Sequence, residues 1–147
     1  MSNKETYSIK DINIESKKNL NLLMKDLDNF LGPYTDCGTE MVEAIDEALE
    51  NGFIFEAVDN KKNRLGIVVI TRTPFKSFQP KYHLAYIATS PKARGKGIGK
   101  ILLEESQKRT DNDIALHVSP SNENAIGFYE KFGWEIKYIR MMPSKEK

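Results

Sequence analysis

The segment from Tyr82 to Arg109 constrains this chain more than any other, because it joins a strand, a basic glycine-rich turn and a helix without a break. Its centre reads Thr89-Ser90-Pro91-Lys92-Ala93-Arg94-Gly95-Lys96-Gly97-Ile98-Gly99-Lys100. Glycines at 95, 97 and 99 let the backbone take turns closed to other residues and approach a ligand closely. Immediately afterwards Ile98, Ile101 and Leu102 fall on one helical face, and Glu104/Lys108 and Glu105/Arg109 are favourable pairs four residues apart. The turn thus delivers free N–H groups to a helix start, where the helix dipole favours an anion. Arg94, Lys96 and Lys100 add positive charge there. The segment reads as a phosphate cradle, against the simpler reading of a turn that ends a strand and starts a helix.

Two familiar cradles do not fit. A P-loop needs Gly-Lys followed by Ser or Thr, whereas Gly99-Lys100 precedes Ile101. A dinucleotide fingerprint needs G-x-G-x-x-G in a first strand–helix unit, whereas the spacing here is G-x-G-x-G and lies past mid-chain. What remains is Arg94-x-x-Gly97-x-Gly99. That pattern resembles the acyl-CoA motif of the GNAT superfamily of N-acetyltransferases, [Arg/Gln]-x-x-Gly-x-[Gly/Ala]. A second block, Asn122-Glu123-Asn124-Ala125-Ile126-Gly127-Phe128-Tyr129-Glu130-Lys131-Phe132-Gly133-Trp134, is similar to the other hallmark of the superfamily. There an Asn precedes a short helix containing Ala, an aromatic-Tyr pair, Lys and a closing Gly-aromatic. Two motifs in the right order are more specific than either alone.

The rest of the chain supplies elements in a compatible order. Thr6–Ile12 alternates as a first strand. Leu20, Leu23, Met24, Leu27, Phe30 and Leu31 keep helical spacing up to Gly32-Pro33. Met41, Val42, Ile45, Ala48 and Leu49 make a second helix with Thr39 as its N-cap and Asn51-Gly52 as its end. Phe53–Val58 and Leu65–Thr71 read as a hairpin, and Tyr82–Thr89 as the strand before the cradle. Ile114–Val118 (strand), Ala125–Phe132 (helix) and Trp134–Met141 (strand) complete the order β-α-α-β-β-β-α-β-α-β. This fits an α/β (α+β) chain with the GNAT fold, a mixed central sheet flanked by helices, as one N-acetyltransferase domain over residues 1–147.

Composition excludes several functions. Twenty-two basic against 21 acidic residues leave a net charge of +1, so nothing in bulk charge calls for nucleic acid or an anionic membrane. Cys37 is the single cysteine, which rules out an intrachain disulfide and suits a reducing compartment. No run approaches a membrane span and Met1–Asp11 lacks a signal-peptide core, so a cytoplasmic protein is expected. No His/Cys cluster has metal-ligand spacing, and no metal is expected.

The resemblance implies acetyl transfer from acetyl-CoA, as cosubstrate, to a primary amine by direct attack in a ternary complex. It implies that the backbone of Ile87, Ala88 and Thr89 holds the pantetheine arm where the strand splays from its neighbour. It implies that Arg94, Gly95, Lys96, Gly97, Ile98, Gly99 and Lys100 cradle the pyrophosphate, and that Asn122 reaches the pantetheine; the alternative for Asn122 is a helix N-cap. Tyr129 matches a tyrosine that lies near the sulfur and protonates the departing thiolate, the alternative being packing beside Phe128. Some family members use a glutamate base four residues before the first pantetheine position, which here is His83; a water relay is its rival. The acceptor pocket would draw on Gly32–Gly38 and Thr73–Lys81, with Tyr34, Phe75, Phe78 and Tyr82 as a partly aromatic wall or as core. The acceptor, whether small molecule, peptide N-terminus or lysine, is left open, as is a homodimer. A non-catalytic acetyl-CoA/CoA-binding sensor is the alternative function.

Overall fold

The computed structural model describes residues 7–35, 38–75, 77 and 80–145. Thr6, Cys37 and Phe78, singled out above, lie outside these residues. The chain forms two compact units, Met1–His117 and Val118–Lys147.

In the first unit the elements are β1 (Tyr7–Asp11), α1 (Lys17–Leu31), α2 (Gly38–Asn51), β2 (Phe53–Asp59), β3 (Arg64–Arg72), β4 (Tyr82–Thr89), α3 (Ile98–Arg109) and β5 (Ile114–Ala115). Among the described residues they build a five-stranded sheet in the order β1-β2-β3-β4-β5. The first four strands pair antiparallel and β5 joins β4 in parallel, so the sheet is mixed as expected. Residues Gly66–Ile70 of β3 are all buried. That unbroken apolar run is what a strand covered on both faces requires. Ile67 and Val69 share one cluster with Leu23, Leu27 and Phe30 of α1 and Met41, Ile45 and Ala48 of α2. On the α3 side, Ile98 and Leu102 lie over Gly66, and the Arg109 guanidinium sits 4.2 Å from the Phe55 ring centroid.

Local chemistry sets the helix limits. The Ser16 hydroxyl accepts from the Asn19 N–H at 3.2 Å to start α1, and Gly32 at φ 60° ends it. α2 starts at Gly38, so Thr39 lies inside its first turn rather than capping it. Leu49, expected in the core, is exposed on the outer side of α2. Asp59 folds the hairpin between β2 and β3, its carboxylate accepting from the N–H groups of Lys61 and Asn63.

The second unit contains α4 (Glu123–Lys131). The strand expected over Trp134–Met141 is not formed among the described residues. A strand is defined by its ladder, and among the described residues of this unit the regular element is α4, which offers no ladder to pair with. The expected strand Ile114–Val118 is likewise reduced to Ile114–Ala115. The observed order is therefore β-α-α-β-β-β-α-β-α, one strand short of the expected series.

Candidate active site

The cradle is built by β4, the turn after it and α3. Between Tyr86 and Leu84 the register of β4 against β3 slips by one residue, so that Val69 faces Tyr86 while Ile70 faces Leu84. Ala85 is the extra residue of a bulge, which bends a strand and re-aims its side chains. On its other edge, among the described residues, β4 pairs with β5 at Tyr82–Ile114 and His83–Ala115. Ile87, Ala88 and Thr89 lie beyond the last rung of that ladder, where an extended ligand arm could complete the hydrogen bonding.

After β4, Ser90 accepts from the Lys92 N–H at 3.3 Å and starts a short 3-10 turn, Pro91–Ala93. Gly95 and Gly97 then adopt φ of 81° and 80°, a left-handed conformation that favours glycine. Gly97 is the N-cap of α3 and supplies no side-chain hydrogen bond to it. The first turn of α3 therefore carries no side-chain cap, and the helix dipole adds partial positive charge at the same point. Among the described residues, nothing beyond the adjoining residues of the chain lies within 4 Å of where a Cβ would stand on Gly95 or Gly97. Open space above left-handed glycines, facing an uncapped helix start, fits a diphosphate.

The cations of the segment divide their work. The Arg94 guanidinium donates to the Phe30 carbonyl at 3.2 Å, tying the cradle to the last turn of α1. Lys100 lies 3.9 Å from Glu104 on the exposed side of α3. Arg94 thus holds the turn against α1, and Lys100 is paired along its own helix.

Gly66 is a further residue of the site that no motif marks. It lies in β3 under α3, and a Cβ there would stand 2.5 Å from Leu102 Cδ1 and 3.1 Å from the Ala88 carbonyl oxygen. Its missing side chain lets the cradle helix seat on the sheet beside Ala88. The available signal was a glycine inside an otherwise apolar strand, Leu65-Gly66-Ile67, which marks a close approach.

His83 lines a cleft of about 390 Å³ between α2 and the β3–β4 pair. Glu40, Glu43 and Glu47 form its α2 wall, and Thr71, Arg72, Ala85 and Tyr86 complete it. Glu47 is engaged by the Asn51 side-chain amide at 3.2 Å. The Arg72 guanidinium lies 5.2 Å from the Tyr82 ring centroid. Of the proposed aromatic wall, Tyr34 and Phe75 are exposed and Tyr82 packs against Phe53 at 5.5 Å.

In the second unit, Asn122 Oδ1 accepts from the Ala125 N–H at 3.2 Å and caps α4. Tyr129 packs against Phe128 at 5.3 Å and Trp134 at 5.8 Å. Burial pushes the Tyr129 phenol up to about 12, because the phenolate loses its hydration there. Among the described residues no group of three or more His, Cys, Asp or Glu is placed to hold a metal, and no helix is long and apolar enough to cross a membrane.

Residues 20–134 match the model of the acetyltransferase (GNAT) family, and the chain belongs to that family. It is similar to the peptidyl-lysine N-acetyltransferase YjaB of Salmonella typhimurium, at 26% identity over 97 residues, covering 66% of this chain and 60% of that protein. The chain thus spans less than two-thirds of that relative's length. Among solved structures it resembles Arabidopsis thaliana Naa50 in complex with the bisubstrate analogue CoA-Ac-MVNAL, at 26% identity and a TM-score of 0.67, covering 93% of this chain and 92% of that one. The aminoglycoside N-acetyltransferase AAC(6')-Iy in complex with CoA shares the fold, with a TM-score of 0.72 at 17% identity over 100% of this chain and 99% of that one.

Proposed function

We propose that this chain is an acetyl-CoA-dependent N-acetyltransferase whose acceptor is a primary amine in a cationic setting, such as a lysine side chain of a peptide. The observation that carries the reading is the pair of left-handed glycines, Gly95 and Gly97, at the uncapped start of α3. Bound acetyl-CoA supplies an activated acetyl thioester. The turn from Arg94 to Lys100 holds the diphosphate, the Lys96 N–H being engaged by the Ala93 carbonyl at 3.3 Å, and the backbone of Ile87, Ala88 and Thr89 orients the pantetheine arm beyond the end of the β4–β5 ladder. Asn122 serves first as the cap of α4, and a pantetheine contact by its amide belongs to the same reading.

His83 removes a proton from the acceptor ammonium, a task suited to imidazole. Glu40, Glu43 and Glu47 draw a cationic acceptor into the cleft beside it. The similarity to a protein named as a peptidyl-lysine N-acetyltransferase supports a lysine acceptor. Tyr129 Oη holds a proton for the departing sulfur. With its pKa near 12 against ~8.5 for a thiol, the phenol acts chiefly as a hydrogen-bond donor to the thiolate. A cytoplasmic setting, without nucleic acid, membrane or metal, completes the reading.

The test is release of free CoA thiol from acetyl-CoA across a panel of amines, polyamines and lysine peptides. Steady release that requires an amine supports the enzyme. Tight acetyl-CoA binding without turnover on any amine would instead identify a sensor.

A further inference from the structure

We propose that His117 is the proton-relay partner of His83, a positioning residue that carries the acceptor's proton from the cleft to solvent. The inference rests on the reading of His83 as base and extends it to a residue that no motif marks. The two rings lie 4.8 Å apart between centroids, tilted by 52°. Their meeting follows from the register. His83 is the rung partner of Ala115 in the parallel β4–β5 ladder. His117 comes two residues after Ala115, and alternate residues of an extended segment share a face. His117 therefore stands beside His83 just past the point where β5 leaves β4, at the mouth of the gap assigned to the pantetheine arm.

The two imidazoles differ in exposure as a relay requires. His83 is half-buried in the cleft and His117 is exposed. The charged and titratable groups around the cleft are Glu40, Glu43 and Glu47 from α2, Arg72 from β3, and Tyr82 and Tyr86 from β4. The α2 wall of the cleft carries three carboxylates, so a proton delivered to His83 leaves more readily on the side away from them. His117 lies on the β5 side and offers that route.

The balance of the reaction calls for one. An acceptor ammonium loses two protons from nitrogen on becoming an amide. The C–S bond of the thioester breaks as the N–C bond forms, one proton goes to the CoA sulfur, and the other leaves the protein. Histidine is suited to pass that second proton, since each ring nitrogen can take or give it near neutral pH.

The experiment measures exchange of the His83 ring N–H with water by 15N NMR in the wild-type protein, His117→Ala and His117→Gln. The relay predicts exchange slowed about tenfold in both variants and restored by added free imidazole. It also predicts a transfer rate that falls by a similar factor at low buffer concentration, with acceptor KM unchanged and rate recovery by imidazole. Unchanged His83 exchange in both folded variants would overturn the relay, as would a lost rate that imidazole does not restore. A full wild-type rate in His83→Ala would instead refute the base assignment itself, and the exchange measurement is read independently of turnover.

Discussion

Leu102 of the cradle helix rests directly on Gly66 of the central sheet: a Cβ at position 66 would stand 2.5 Å from Leu102 Cδ1. The same Cβ would press on the carbonyl of Ala88, one of the residues assigned to the pantetheine arm. Seating α3 this deeply sets its first turn close to β4, so one missing methyl group links core packing to the proposed ligand site. Gly66→Ala should destabilise the protein by about 1–3 kcal/mol, the usual cost of overpacking. Leu102 is fully buried and has little room to turn away. It should also weaken acetyl-CoA binding, because α3 must lift. Denaturant midpoints and binding measured on the same samples check both. A variant as stable as wild type would mean that the helix accommodates the methyl and that the seat is loose.

The carboxylates of α2 predict acceptor choice. Glu43→Gln should raise KM for a lysine-rich peptide about two- to fivefold, as expected for one exposed charge, and leave KM for a monoamine nearly unchanged. The effect should shrink as salt rises. Equal KM changes for both acceptors would place the peptide elsewhere.

The burial of Tyr129 has a consequence for stability as well as for its proposed role. Its phenol titrates at about 12 in the fold and near ~10 in an unfolded chain, so folding favours the protonated form. That contribution is fully present below pH ~10 and is lost as pH rises toward 12. Two units correspond to about 2–3 kcal/mol. Relative to Tyr129→Phe, the wild-type protein should therefore lose stability over this interval, and parallel unfolding curves at both ends would contradict it. Near neutral pH the same variant should fold and bind acetyl-CoA normally, with single-turnover rate reduced about 100-fold. Equal single-turnover rates would remove Tyr129 from the chemistry.

His83→Ala should lower kcat/KM most at low pH and recover partly in more basic buffer, because the acceptor must then arrive already deprotonated. An unaltered wild-type pH profile in the folded variant would assign the proton to a water relay.

Much of this was legible in the sequence, for identifiable reasons. Glycines 95 and 97 are legible because a left-handed turn makes a local demand that other residues meet poorly, whereas Gly99 lies within the first turn of α3. The helices α1 and α2 follow from apolar spacing, and Gly32 ends α1 where expected. Long-range relationships were less legible. The contact between Gly66 and Leu102, the bulge at Ala85 and the hydrogen bond from Arg94 to Phe30 depend on which strand or helix lies opposite. The expected strand over Trp134–Met141 was read from local residue preference, yet Ile136, Tyr138 and Met141 are exposed and unladdered. Strand preference describes fit to a partner, which local sequence does not contain. Likewise His117 sits in the strand expected over Ile114–Val118 with no motif attached, and its place beside His83 follows from the β4–β5 register.

The central claim is that residues 94–100 bind the diphosphate of acetyl-CoA, and calorimetric titration of the wild-type protein and Gly97→Val tests it most directly. Gly97 holds φ 80° with open space where a side chain would project. Valine would strain the turn and fill the room assigned to the ligand. Wild type should bind acetyl-CoA with measurable heat at or below millimolar concentration, and the folded variant should lose at least tenfold in affinity. No binding by folded wild type at millimolar acetyl-CoA, or equal affinity in the two proteins, would contradict the cradle.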